Sequence, residues 1–284
     1  MGEFLLRTRI ITAIIGLILI LPILIYSDTV VFNIFMAALS VVAVYEFLKC
    51  TDELKNNAVA VPAYIMAALI PFAIRAEKLF NLSVDSVKLC VCIVLIYIFV
   101  SFAISVFSKG KIDIIKASFS SLMCVYAVCG LSSVILIRDM NDGAVFYPLI
   151  FVAAWSTDIF AYFGGMLFGK HKLIPDVSPK KTVEGAIGGT VGNIVCFVLY
   201  SVLVLELTAT QYIFLIVMAP FASIVSQIGD LLMSLVKRKF GIKDFGKLLP
   251  GHGGILDRFD SVLIVSLCLF AICFAARFWG MNVI

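Results

Sequence analysis

Charge is what this chain has least of: Asp, Glu, Lys and Arg make up 14% of its 284 residues, while apolar residues make up 62%. That balance excludes an ordinary soluble domain, whose apolar share is roughly 45–50%. No polar stretch is long enough to form a soluble domain of useful size. There is no low-complexity or linker segment and no convincing internal repeat. The eight cysteines are scattered without a CxxC pair, so they read as small apolar packing residues and leave the redox compartment open. Histidine occurs only twice, as His171 and His252. The pattern GxxxxGK[ST] is missing, which excludes a Walker-type phosphate loop.

Long apolar runs are abundant. Nine stretches are expected to cross a bilayer, approximately 10–26, 29–48, 58–74, 88–107, 117–137, 146–168, 185–206, 211–236 and 261–279. Spans in lipid must satisfy their own backbone, which makes them helices. Arg7 and Arg9 precede a run that is long for a signal segment and has no clear small-residue cleavage site, so it reads as a retained first helix. The expected fold is an all-α integral membrane protein of about nine transmembrane helices. With the N-terminus in the cytoplasm, 17 of the 22 Lys and Arg residues fall on inside segments, which favours an N-in, C-out arrangement. Residues 1–145 read as five plain helices, and residues 146–284 as helices six to nine of the same domain, with polar residues inside helices and charged cytoplasmic loops at 169–184 and 237–260. A polar cavity is expected to open toward the cytoplasm.

Three acids fall inside expected spans: Glu46, Asp158 and Asp230. Such residues are costly in lipid and face protein, water or a cation. Glu46, beside Lys49, reads as structural. Asp158 and Asp230 read as functional. Ser223, Ser226, Asp230 and Ser234 recur every three or four residues and so share one face of a helix, expected to line the cavity. The glycines of GAIGGTVG (185–192) form a small-xxx-small face that fits helix packing within one chain or a contact between two copies.

The densest charge lies in KRKFGIKDFGK (237–247) and PGHGGILDRFDS (250–261). Asp257 and Asp260 stand three apart at a helix start, where two carboxylates on one face call for a cation. Mg²⁺ is held by one or two carboxylates with phosphates and water completing its shell. Gly251, Gly253 and Gly254 let backbone N–H groups approach an anion, and Arg258 offers a fork for phosphate oxygens. His252 fits a phosphate donor, a base or a loop-ordering hydrogen bond. In SPKKTVEG (178–185), Ser178, Lys180, Lys181 and Thr182 gather hydroxyls and ammonium groups before a helix, a place for a polyphosphate. The basic residues also fit attraction to anionic lipid.

The segment 234–260 resembles the signature of the integral-membrane phosphatidate cytidylyltransferases, the CDP-diacylglycerol synthases. The match runs through Ser234, Lys237-Arg238, Lys243-Asp244, Gly246, Pro250, His252-Gly253-Gly254, Asp257-Arg258 and Asp260 without a departure. WSTDIFAYFGG, FGKHKL, SPKKTVEG and the N-terminal RTRIITAII are similar to the family as well. The resemblance implies the reaction of CTP with phosphatidate to give CDP-diacylglycerol and pyrophosphate. It implies Mg²⁺ at Asp230, Asp257 and Asp260, with Arg258 beside them, and a second cation, K⁺. It implies substrate binding by Ser178, Lys180, Lys181, Thr182, Lys237, Arg238, Lys243, His252, Gly253, Gly254, Ser226 and Ser234. Expected partners are CTP, phosphatidate and the bilayer of a bacterial cytoplasmic membrane, with a homodimer open and no nucleic acid. Two other readings stay open: a transferase for another lipid phosphate, and an ion-coupled transporter using Asp158 and Asp230.

Overall fold

The computed structural model describes residue 18 and residues 21–204, 208–251 and 253–278. It is helical almost throughout. The helices are α1 (Val30–Cys50), α2 (Asn57–Ala73), α3 (Ala76–Phe80), α4 (Ser86–Phe107), α5 (Ile114–Arg138), α6 (Gly143–Phe146), α7 (Pro148–Phe168), α8 (Val183–Val204), α9 (Ala209–Lys239) and α10 (Leu256–Phe278). Between α7 and α8 the chain forms a short antiparallel ribbon, β1 (Lys172–Ile174) with β2 (Ser178–Thr182), in which Lys172 pairs with Thr182.

Seven described helical stretches are long and apolar enough to cross a membrane, against the nine expected. The difference has two sources. The expected helix at 10–26 lies mostly outside the described residues, of which 21–25 are helical. The expected span at 58–74 is α2, which is apolar but has only 17 residues. At about 1.5 Å per residue it reaches roughly 25 Å, short of a hydrocarbon core of about 30 Å. It also carries Pro62 and Pro71 within its length.

The chain divides into two compact units. One runs to Ile135 and takes in Phe240–Phe259; the other comprises Leu136–Lys239 and continues from Asp260. In the first unit α1 packs on α2, and α2 on α4. The core of α1 is built from Phe32, Met36, Ala43, Val44, Phe47 and Leu48. Asn33 within it donates to the Pro71 carbonyl at 2.6 Å, and the buried Arg75 donates to Asn33 Oδ1 at 2.9 Å and to the Ser27 carbonyl at 2.9 Å.

In the second unit α7, α8 and α9 pack together, with α7 and α8 in the closest contact. Glycine makes that approach feasible. A Cβ at Gly189 would stand 2.8 Å from the Thr157 carbonyl and 3.0 Å from the Ala161 methyl. A Cβ at Gly185 would stand 2.7 Å from the Ala161 carbonyl. The glycine face of α8 is thus taken up by α7 of the same chain.

A polar seam fixes the three helices in register. Ser156 donates to Asn193 at 2.9 Å, and Asn193 donates to the Ala219 carbonyl at 2.6 Å. Thr157 donates to Ser223 at 3.1 Å, and Ser223 to Thr190 at 3.2 Å. Each such bond within a membrane contributes about 0.6 kcal/mol on average, so specificity of alignment matters more than the sum. Gly189→Leu is expected to force α7 and α8 apart and cost about 1–3 kcal/mol, the range for overpacking. Thermal unfolding in detergent checks it, and an unchanged Tm would show that the helices are not held at this spacing.

Candidate active site

The second unit holds a cavity of about 360 Å³ lined by Asp158, Tyr162, Lys180, Lys181, Gln227 and Asp230 among others. Three elements meet there. Midway along α7 stands Asp158, with Tyr162 one turn on. Strand β2 brings Lys180, Lys181 and Thr182, and α9 brings Gln227 and Asp230. Gln227 donates to the Ala186 carbonyl at 3.2 Å, which ties the cavity wall to the seam below it. Lys181 Nζ lies 2.5 Å from Asp230 Oδ2, with both side chains about a quarter exposed. The pair holds an ammonium group at the cavity instead of letting it trail into solvent.

The ribbon carrying these lysines is pinned by Glu184, in the first turn of α8. Its carboxylate accepts from the Lys170 N–H at 3.0 Å and from the His171 N–H at 3.2 Å, and it contacts His171 Nδ1 at 2.6 Å. Thr182 Oγ1 accepts from the Gly185 N–H at 3.1 Å and so caps α8. Lys172 Nζ donates to the Pro179 carbonyl at 2.7 Å, across the hairpin. Lys170 and Lys172, which fit a head-group role by composition, thus sit on a ribbon with a defined shape.

Asp260, one turn into α10, is buried, with Oδ1 accepting from the Ser261 N–H at 2.8 Å. It stands within electrostatic range of Asp230, Asp158 and Lys237. Three acids of the second unit therefore share one neighbourhood, and they lie on three different helices. Among the described residues no three His, Cys, Asp or Glu side chains converge as a ready-made metal cage. Mg²⁺ taken up with substrate phosphates needs only one or two protein carboxylates. A buried acid facing two others, next to lysines, is a donor set of that kind, and the residues present fit the ion.

Asp257 has a different setting. In the first unit its Oδ2 accepts from the Phe245 N–H at 2.8 Å and the Gly254 N–H at 3.0 Å. It closes the loop between α9 and α10 on itself. Gly253 has φ +85°, a left-handed value that glycine adopts freely, and a Cβ there would stand 2.9 Å from Asp257 Oδ2. The Leu249 N–H donates to the Gly253 carbonyl at 2.9 Å. The Gly254 N–H, expected to meet an anion, is engaged by Asp257.

Of the other residues singled out by the sequence, Ser178 and Ser234 are half-buried, and Lys180, Arg238, Lys243 and Arg258 are exposed. Lys237 is half-buried near the end of α9. Ser226 is fully buried, its hydroxyl has no hydrogen-bond partner, and it is absent from the cavity wall. The wall on α9 is Gln227 and Asp230, so of the polar stripe Asp230 alone reaches it. His252 lies outside the described residues. Sequence reasoning passed over Tyr162, Gln227 and the pinning role of Glu184. The Glu184 signal was available, as an acid in a helix first turn two residues after Thr182.

A model of the Cytidylyltransferase family matches residues 7–276. Curated relatives named phosphatidate cytidylyltransferase are similar along nearly their whole length. The Staphylococcus haemolyticus protein is 35% identical over 91% of this chain and 95% of its own. The Bacillus subtilis protein is 33% identical over 93% and 96%, and the Staphylococcus aureus protein 35% identical over 91% and 95%.

Glu184→Ala removes the acceptor for both backbone N–H groups of the ribbon's entry. Faster amide exchange at Lys170 and His171 is the expected result. Unchanged protection would mean that the ribbon is ordered by β1–β2 pairing alone.

Proposed function

The chain belongs to the cytidylyltransferase family, and from that premise we propose that it transfers the cytidylyl group of CTP to phosphatidate, releasing pyrophosphate and forming CDP-diacylglycerol. The observation that carries the reading is the cavity in which Lys180, Lys181, Asp158 and Asp230 stand together among apolar helices. Both substrates are polyanions, and the lipid one stays anchored in the bilayer. A site for their meeting must offer cations and lie where a head group can enter from lipid.

The reaction forms a bond between a phosphatidate oxygen and the α-phosphorus of CTP. The bond from that phosphorus to the pyrophosphate oxygen breaks, and its electron pair leaves with pyrophosphate. In our assignment Lys180 and Lys181 hold the triphosphate, with Ser178 and Thr182 at the same strand. Lys181, oriented by Asp230, sits where negative charge builds up during transfer. Fixed cations at that position stabilise the transition state more than mobile ones because they need no reorganisation. Lys237, Arg238, Lys243 and Arg258 add positive charge around the loop between α9 and α10 and draw the nucleotide in.

Asp230 and Asp260 are the residues we assign to Mg²⁺. When bound, the ion would neutralise phosphate charge and polarise the α-phosphorus for attack. Asp257 lies one turn earlier on α10; its Oδ2 is committed to two backbone N–H groups, so its share in an ion would come through Oδ1. The same reading places the N-terminus and the charged loops in the cytoplasm of a bacterial cell, where CTP is made, in keeping with the lysine and arginine bias.

The test uses purified protein in detergent with phosphatidate, Mg²⁺ and CTP labelled in the cytidine. Label is expected to enter the organic phase only when phosphatidate and Mg²⁺ are both present. Asp260→Asn is expected to lower kcat by about 10²–10³, the scale of losing one transition-state electrostatic contact. Lys181→Ala is expected to raise KM for CTP by about tenfold, from loss of a charge-assisted hydrogen bond. Folded wild-type protein that labels no lipid with phosphatidate but labels another lipid phosphate would reassign the substrate. Full turnover by Asp260→Asn would remove that residue from the site.

A further inference from the structure

Glu46 lies on α1, 210 residues before Leu256 at the head of α10, and the family-like motifs do not reach it. By sequence it was expected to pair with Lys49 or reach the interface. The structure gives it another task. Its side chain is 1% exposed, and its two carboxylate oxygens accept two successive backbone N–H groups: Ile255 to Oε1 at 3.0 Å and Leu256 to Oε2 at 2.8 Å. Those donors stand at the head of α10, where backbone N–H groups have no partner within the helix. Glu46 therefore caps α10 from a distant helix of the same unit.

The fit around it is close. A Cβ on either Gly246 or Gly254 would collide with the Glu46 carboxylate. Next along α1, the Phe47 ring meets the Phe245 ring edge-on at 5.2 Å between centroids. Phe245 is also the residue whose N–H is held by Asp257. Glu46 and Asp257 between them take four backbone N–H groups, those of Phe245, Gly254, Ile255 and Leu256. The loop has little other secondary structure: one isolated bridge joins Leu249 and Gly253. Its shape is set by two buried carboxylates.

We infer that Glu46 is a positioning residue for cytidylyl transfer. It fixes the start of α10, and with it the placement of Asp257 and Arg258 on the first turn of that helix. It touches no substrate; it acts through the loop. The inference rests on the cytidylyltransferase reading. A misplacement of about 1 Å by a change remote from the chemistry lowers turnover by about 100-fold. A positioning residue should therefore act on kcat. KM for CTP, set by the lysines of β2, should stay nearly constant.

The experiment compares wild type, Glu46→Gln, Glu46→Ala and the control Ser40→Ala. Ser40 is a buried residue of α1 whose hydroxyl has no hydrogen-bond partner. Glu46→Gln keeps the shape but sets an NH₂ group against one of the two N–H donors. Each protein is purified in detergent, checked by size exclusion and thermal unfolding, and assayed with phosphatidate, Mg²⁺ and labelled CTP. Amide exchange is measured at Ile255 and Leu256. Wild-type turnover tests the reaction itself, so its failure is separate from failure of the inference.

Expected for Glu46→Gln are a monodisperse protein, faster exchange at Ile255 and Leu256, kcat lowered about 100-fold and KM for CTP within about threefold of wild type. Ser40→Ala keeps wild-type rates. Wild-type kcat in Glu46→Gln would overturn the inference. A raised KM with normal kcat would overturn it in favour of substrate binding. Aggregation or unfolding of both Glu46 variants would make Glu46 a folding residue and overturn it too.

Discussion

A carboxylate taken out of water must be met by donors or by cations, and the structure depends on how its acids meet that demand. Desolvating an ionised group is so unfavourable that buried charges persist only when paired or hydrogen-bonded. Glu46 and Asp257 are met by backbone N–H groups, and the result is a fixed loop. Glu184 is met in the same way and fixes a ribbon. Asp230 is met by the Lys181 ammonium. Asp260 has one backbone N–H, two acidic neighbours and Lys237 within electrostatic range. The first kind of pairing makes scaffold; the last leaves an acid among charges.

This sorting explains why a mostly apolar chain concentrates its charge in two short segments. Hydrocarbon excludes ions from most of the length, so the charged residues gather in the segments between helices. Each of the two loops is then ordered by a glutamate on a helix: Glu184 in the first turn of α8 for one, Glu46 near the end of α1 for the other. In each case the acid takes up backbone donors that would otherwise wander.

Much of this was legible in the sequence. The run lengths gave the membrane helices, and the lysine-rich and aspartate-rich segments marked the loops. Asp158 and Asp230, picked out because acids are costly in lipid, line one cavity. The rest was hidden for physical reasons. The span at 58–74 is apolar enough but three residues short, a difference that hydropathy does not register when boundaries are uncertain by several residues. The polar stripe on α9 has the correct period, yet only its Asp230 reaches the wall, because Ser226 turns into helix packing while Gln227 turns to the cavity. Periodicity identifies a face; it does not say which neighbour the face meets. Glu46 was invisible as a loop anchor because its partners are backbone amides some 210 positions away, and a backbone amide leaves no mark in a sequence.

Asp257 and Asp260 show the same limit at closer range. Spaced three apart on one helix, they look equivalent, and a cation between them is the simplest reading of the spacing. Their surroundings separate them. Oδ2 of Asp257 has both lone-pair directions taken by N–H groups, whereas Asp260 has one N–H on Oδ1 and otherwise faces charge. An oxygen that accepts two strong backbone bonds is a poor place for a metal to compete, because the ion would have to strip donors that then stand unpaired in a buried loop. Asp260 therefore has the fewer backbone partners of the two, and Asp257 ties the loop to the first turn of α10.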